Sequence, residues 1–306
     1  MTIERTERRH DLGAALDARF PLPMLDALFD GQIAAATVVA GARDALAAAA
    51  GVMAQSVSAG GRLVYVGAGS SGLMAMADAL ELPGTFGIDP DGVVLLMAGG
   101  LPGAGERPAL PGGPEDDAEA GARETAALGL GARDTVLALT ASGSTPYALA
   151  AARTARAAGA RVIGLANNAD APLLALSDVA VLLPTPPEVV AGSTRMGAGT
   201  AQKIALNMMS TAMAVMLGHV HEGHMVNLKA DNQKLRARAT RMVSEISGIG
   251  SEAAAAHLAA ASGSVKIAVL LAAGASGREE AERLLAAGGQ HLSAALRALE
   301  DRKENV

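Results

Sequence analysis

Five short apolar runs, at 62–66, 93–97, 135–139, 161–166 and 179–183, each end in turn residues and are separated by long Ala-rich stretches. Runs of five or six residues are too short for helices, and the stretches between them, at 116–128 and 146–158, are long enough to be helices. Strand, helix, strand at this spacing is the βαβ unit, whose crossover is right-handed and whose strands lie parallel. The pattern predicts a doubly wound α/β domain with a parallel sheet between helices. Composition agrees: half the residues are hydrophobic but only 2% are aromatic, so the core must be made of Ala, Leu, Val and Met, which suits helices lying close on a sheet. Residues 28–58 read as one long helix ending at Gly60-Gly61. A helix is expected from about Gly72 to Leu80, and the Gly- and Pro-rich stretch 99–114 as a loop. After Ser247 the composition shifts again, to what reads as three short helices between glycines. The expected division is a domain over 1–246 with an N-terminal helical arm, then a small three-helix domain over 247–306.

Two loops carry the binding chemistry. Val64-Tyr-Val-Gly-Ala-Gly-Ser-Ser-Gly72 and Leu137-Ala-Leu-Thr-Ala-Ser-Gly-Ser-Thr-Pro146 each follow a strand and open a helix. There, free N–H groups and the helix dipole favour an anion. No lysine follows the glycines as in a Walker loop, and the spacing differs from the dinucleotide fingerprint. Ser70, Ser71, Thr140, Ser142, Ser144 and Thr145 are the candidate anion ligands. Thr145 before Pro146 also suits a helix N-cap, which would explain that residue alone.

A third segment, 188–203, reads EVVAGSTRMGAGTAQK, with small and hydroxyl residues between a carboxylate and two cations. A core helix would carry Leu and Ile there, so the segment is suited to close approach of a polar ligand. It resembles the signature of the N-acetylmuramic acid 6-phosphate etherases and the related glucokinase regulatory proteins. The two serine loops resemble those of the sugar isomerase (SIS) domain. The resemblance runs nearly end to end, through Thr6-Glu-Arg-Arg9, ELPGTFG from Glu81, NMMST from Asn207 and KADNQKLRAR from Lys229. It implies an SIS-type fold with a C-terminal helical domain, a homodimer, and a phosphorylated amino sugar held by the loop hydroxyls with Glu188, Ser193, Thr194, Arg195 and Lys203. It also implies a lyase that splits the D-lactyl ether by elimination and hydration. That chemistry needs a base for the acidic C2 proton and an acid for the departing lactate oxygen, but no metal or cofactor. Glu81, in the position of the glutamate of the family's E-C-P-P-T run, would be the acid. Glu115 in Glu115-Asp-Asp117 would be the base, although a carboxylate at the start of the 116–128 helix is also what capping predicts.

Departures from the family pattern concern charge. Leu73, Ser144 and Gly197 stand where three of its cations are usual, while Arg195 and Lys203 remain. The loss points to a divergent member, and it leaves a second reading open: a phosphosugar-binding regulator without catalysis.

Other classes are disfavoured. Twenty-five Lys plus Arg against 31 Asp plus Glu give a net charge of −6, and with so few aromatics to stack on bases, nucleic acid is not an expected partner. There is no cysteine, so disulfides and thiolate metal sites are excluded. The N-terminus lacks the apolar core of a signal peptide, and no long apolar stretch escapes interruption, so a cytoplasmic protein with no membrane partner is expected. His219, His221 and His224 lack the HExxH spacing of zincins and suggest a turn or strand rather than a metal site. Met208, Met209, Met213 and Met216 read as core.

Overall fold

The computed structural model describes residues 5–101, 110, 112–228 and 232–304, the side chains of 5, 303 and 304 excepted. Most of the expected 99–114 loop, and the start of the 229–238 run, lie outside them. The chain forms two compact units, Met1–Ala79 with Asp91–Ser210, and Leu80–Pro90 with Thr211–Val306.

The first unit is built on a five-stranded parallel sheet. In chain order the elements up to residue 216 are α1 (Pro21–Val38), α2 (Arg43–Ser58), β1 (Leu63–Gly67), α3 (Gly69–Phe86), β2 (Val93–Met97), α4 (Ala118–Ala127), β3 (Thr135–Thr140), α5 (Pro146–Ala157), β4 (Arg161–Ala166), α6 (Pro172–Leu176), β5 (Val179–Leu182) and α7 (Gly197–Met216). The strands lie in the order β2-β1-β3-β4-β5, with Leu63 beside Val93 on one side and Thr135 on the other. Because side chains alternate across a strand, Val64, Val66, Val136, Ala138 and Val162 pack on Tyr147, Ala151, Ala152 and Ala155 of α5 and Ala120 of α4. Tyr65 points to the opposite face, where its hydroxyl donates to Asp78 of α3 at 2.8 Å. Asn207 and Ser210 of α7 donate to the same carboxylate, each at 2.9 Å. Burial raises the Asp78 pKa, with the hydrogen bonds from Tyr65, Ser210 and Asn207 and the charge of Lys203 pulling it back. One buried carboxylate thus ties α3 to both β1 and α7.

Several boundaries differ from the sequence reading. The helix expected over 28–58 is two, parted by a 3-10 turn at Val39–Ala42. The β-branched run Thr37-Val38-Val39 followed by Gly41 is a weak helix segment, and the turn forms there. Helix α3 begins at Gly69 and runs through Pro83 to Phe86, so much of what reads as a glycine loop is its first turn. The glycines allow a close approach of strand end to helix. A Cβ on Gly67 would stand 2.8 Å from the Gly72 nitrogen, and one on Gly72 would stand 2.1 Å from Met97 Sδ.

In the second unit, α8 (Gln233–Ser247), α9 (Ser251–Ala260), α10 (Val265–Ala272), α11 (Arg278–Ala287) and α12 (Leu292–Glu304) share a core of Val243, Leu258, Ile267, Leu270, Leu285 and Leu299. Among the described residues four helices follow Ser247 where three were expected, since each Gly-containing turn ends one. Helix α8 packs with them, so the expected boundary after residue 246 falls inside this unit. Met209 and Met213 are buried, but Met208 and Met216 are 42% and 46% exposed and are not core residues.

Candidate active site

The order of the strands fixes the place of the site. From β1 the chain moves outward to β2, then crosses back to β3 on the other side of β1, so the loops leaving β1 and β3 diverge between these neighbours. In open α/β sheets ligands bind at such a switch point, beyond the carboxyl ends of the strands. A cleft of about 500 Å³ lies there, lined by Ala68–Ser71 after β1, by Thr140–Ser142 and Ser144–Pro146 after β3, and by Glu115, Asp116, Gly192, Thr194, Thr6 and Glu7.

The hydroxyls after β3 form one cluster. Thr140 Oγ1 lies 2.6 Å from Thr145 Oγ1 and 3.2 Å from Ser142 Oγ, and Ser142 Oγ accepts from the Ser144 amide at 3.1 Å and the Ser144 hydroxyl at 3.0 Å. Thr145 is the N-cap residue of α5, but its side chain makes no capping hydrogen bond. It is turned to Thr140 instead. Opposite, Ser70 and Ser71 sit in the first turn of α3. Two helix N-termini and six hydroxyls on one cleft favour an anion by dipole and hydrogen bond.

Glu115 lies on a 3-10 turn, Gly113–Asp116, just before α4. The capping role that competes for it belongs to Asp117, whose Oδ1 accepts from the Ala120 amide at 2.8 Å. The Glu115 side chain is thereby left to the cleft.

The signature segment divides. Thr194 lines the cleft, whereas Glu188 is 3% exposed and caps α7: its two oxygens accept from the amides of Gly197 at 2.8 Å and Ala198 at 2.9 Å. Ser193, Arg195 and Lys203 are not among the lining residues. Arg195 and Lys203 are exposed, and Lys203 acts electrostatically on Asp78. A Cβ on Gly197 would stand 3.0 Å from Glu188 Oε2, so a lysine there would press on the cap. No Lys or Arg occurs among the described residues lining the cleft. Thr6, Glu7, Asp116 and Gly192 line it too. Thr6 and Glu7 belong to the Thr6-Glu-Arg-Arg9 run, but nothing in the run itself indicates what it meets.

Glu81 belongs to the second unit. It is exposed near the end of α3, and Thr85 Oγ1 donates to its Oε2 at 3.3 Å. In the same unit, His221 and His224 form a tight turn by exchanging backbone hydrogen bonds at 2.9 and 2.8 Å. Among the described residues no three of His, Cys, Asp and Glu gather as a metal site requires.

Known proteins decide the family. A SIS domain matches residues 32–167. The N-acetylmuramic acid 6-phosphate etherase of Deinococcus radiodurans is 48% identical over 286 residues, 93% of each chain. This chain belongs to that family, the N-acetylmuramic acid 6-phosphate etherases. The etherase of Mycolicibacterium smegmatis is 44% identical over 93% of this chain and 95% of its own. Among solved structures, a candidate sugar-phosphate isomerase from Listeria monocytogenes superposes with a TM-score of 0.51 over 66% of this chain and 92% of that one, at 14% identity. A candidate phosphosugar isomerase from Bacteroides fragilis gives a TM-score of 0.50 over 65% and 94%, at 22% identity. At such identities the likeness is one of fold, and it covers the doubly wound sheet expected from the alternation of strands and helices.

Proposed function

We propose that the protein is a carbon–oxygen lyase that cleaves the D-lactyl ether of N-acetylmuramic acid 6-phosphate, giving N-acetylglucosamine 6-phosphate and D-lactate. The observation that carries this reading is the near full-length similarity to the etherases; the hydroxyl-lined cleft with Glu115 on its wall supports it. In the open-chain sugar the proton on C2 is acidic because it lies next to the aldehyde. Glu115 removes it, the C3–O bond breaks, and the acid, Glu81 by resemblance to the family, protonates the lactate oxygen as it leaves. Water then adds to C3 of the unsaturated aldehyde and a proton returns to C2.

The phosphate is held by Ser70, Ser71, Ser142, Ser144 and Thr145 together with the first-turn amides of α3 and α5. Fixed dipoles of this kind stabilise a dianion without a guanidinium or ammonium group, which is how this member manages with Leu73, Ser144 and Gly197 in place of cations. Ser193, Arg195 and Lys203 take less direct parts in this reading, and Glu188 holds the start of α7. The protein works as a cytoplasmic homodimer, independent of nucleic acid and membrane. The dimer is supported by the exposed apolar side of α1, where Leu22, Leu25, Phe29 and Ile33 are all more than half exposed.

Lactate release from N-acetylmuramic acid 6-phosphate tests the reading. Glu115→Gln and Glu81→Gln should each lower kcat by about 10²-fold or more, the scale of a lost general acid or base, with sugar-phosphate binding retained. Wild-type protein that binds the sugar phosphate and releases no lactate would instead establish the non-catalytic regulator.

A further inference from the structure

One wall of the cleft has no part in the reaction as described. Thr6 and Glu7 come from the N-terminal end of the chain and lie beside the loop that precedes α7. Thr6 is 2% exposed. Its carbonyl accepts from the Gly192 amide at 3.3 Å. Its hydroxyl accepts from Asn168 Nδ2 at 3.4 Å, and the same Nδ2 reaches the carbonyls of Ala141 and Ser142, each at 3.4 Å. The segment is therefore anchored both to the 190s loop and to the serine loop after β3.

Its anchoring sets the place of the next residue. The Glu7 carboxylate lies over Gly192, where a Cβ would stand 3.1 Å from Glu7 Oε2. Gly192 also has φ +77, a conformation that side chains resist. A side chain at 192 would therefore be strained and would push the carboxylate aside by a few tenths of an ångström. Among the described residues nothing donates a hydrogen bond to Glu7, although it lines the cleft.

An ionised carboxylate can only accept hydrogen bonds. In a cleft meant for a phosphate, with Glu115 and Asp116 on its wall, a further negative charge works against the ligand unless it meets a donor. The sugar's hydroxyls both donate and accept, and so suit serines and threonines that do the same. The acetamido N–H on C2 only donates. We infer that Glu7 is a specificity-determining residue whose carboxylate accepts a hydrogen bond from the C2 substituent, an amide N–H in preference to a hydroxyl, and so selects 2-acetamido sugar phosphates. This rests on the phosphosugar reading of the cleft, and it requires nothing of Glu7 in the elimination itself.

Binding alone tests it, without turnover. Dissociation constants for N-acetylglucosamine 6-phosphate, glucose 6-phosphate and 2-deoxyglucose 6-phosphate should be measured by calorimetry on wild type, Glu7→Ala and Glu7→Gln. Loss of a charge-assisted hydrogen bond should weaken the acetamido sugar about 10- to 100-fold in Glu7→Ala, with a smaller loss in Glu7→Gln, which keeps a carbonyl acceptor. The 2-deoxy sugar, with no donor on C2, should change less than about two-fold, and the melting temperature should not move, since Glu7 is exposed. A loss for glucose 6-phosphate equal to that for the acetamido sugar would show no preference for an N–H over a hydroxyl and would overturn the inference. Equal losses for all three sugars, no loss for any, or tighter binding of all three would overturn the inference. Wild type that binds none of them would overturn the phosphosugar reading itself and this inference with it.

Discussion

His219 shows how a single side chain can set the pH limits of a unit. It follows the end of α7, and its Nδ1 is buried with no hydrogen-bond partner among the described residues. Its pKa is lowered to about 4, first by burial and then by the charge of Lys266, with the Phe86 backbone opposing. Lys266 is itself 4% exposed, donates to the Gln290 carbonyl at 3.0 Å, and is lowered by burial to about 8. For His219 the folded value lies below the unfolded one of 6.5. Between those values the unfolded chain binds the proton and the folded unit does not. The stability is therefore complete above pH 6.5 and is lost as the pH falls towards 4. From pH 6.5 to 5 the loss should be about 1 kcal/mol, because the limiting slope of about 1.4 kcal/mol per pH unit is reached only below 6.5 and solvent screens a partly exposed ring. Hydrogen exchange of the α10 amides would read it: protection should fall with pH in wild type and stay flatter in His219→Asn. The same slope in both proteins would move the pH dependence to other groups.

At the scale of elements, α7 is held at its start by Glu188. Two charge-assisted hydrogen bonds on first-turn amides, together with a negative charge at the positive end of the helix, are worth about 2–3 kcal/mol when buried. Glu188→Ala should lower the unfolding free energy by that amount in urea, with KM for the sugar phosphate changed less than about two-fold. A tenfold rise in KM at unchanged stability would return Glu188 to the ligand. The glutamate's polar character is legible in the sequence but its partner is not, because the amides it meets are backbone groups nine and ten residues away. The same holds for Thr145, which has the sequence of a cap and the geometry of a hydroxyl cluster. What local sequence does carry is each strand with the serine loop after it, since both follow from neighbouring residues. Thr6 and Glu7 reach the cleft only because β5 and its following loop bring Gly192 beside them, and no local pattern encodes a contact across most of the first unit.

At the scale of the whole molecule, α1 carries an exposed apolar face. Leu22, Leu25, Phe29 and Ile33 are 73%, 55%, 64% and 52% exposed. They fall at steps of three and four residues, so they form one stripe along the helix. Leaving four large apolar side chains in water forgoes the free energy of their burial. Within Pro21–Ser58 an 18-residue stretch with a mean hydropathy of 1.4 is also long and apolar enough to cross a membrane by length and composition. Its second half is already committed, since Leu46, Ala49, Val52 and Met53 of α2 are buried and α2 packs on β1, β3 and β5. A helix that covers the sheet of its own domain is not free to enter lipid, and the proposed dimer would place the stripe on α1 against a second copy of the chain related by symmetry. Light scattering should give twice the chain mass of 30.5 kDa for wild type and the single mass for Leu25→Glu combined with Phe29→Glu, each charge being costly to bury in an apolar interface. A wild type that stays monomeric at tens of micromolar and sediments with lipid vesicles would show instead that the stripe meets a membrane.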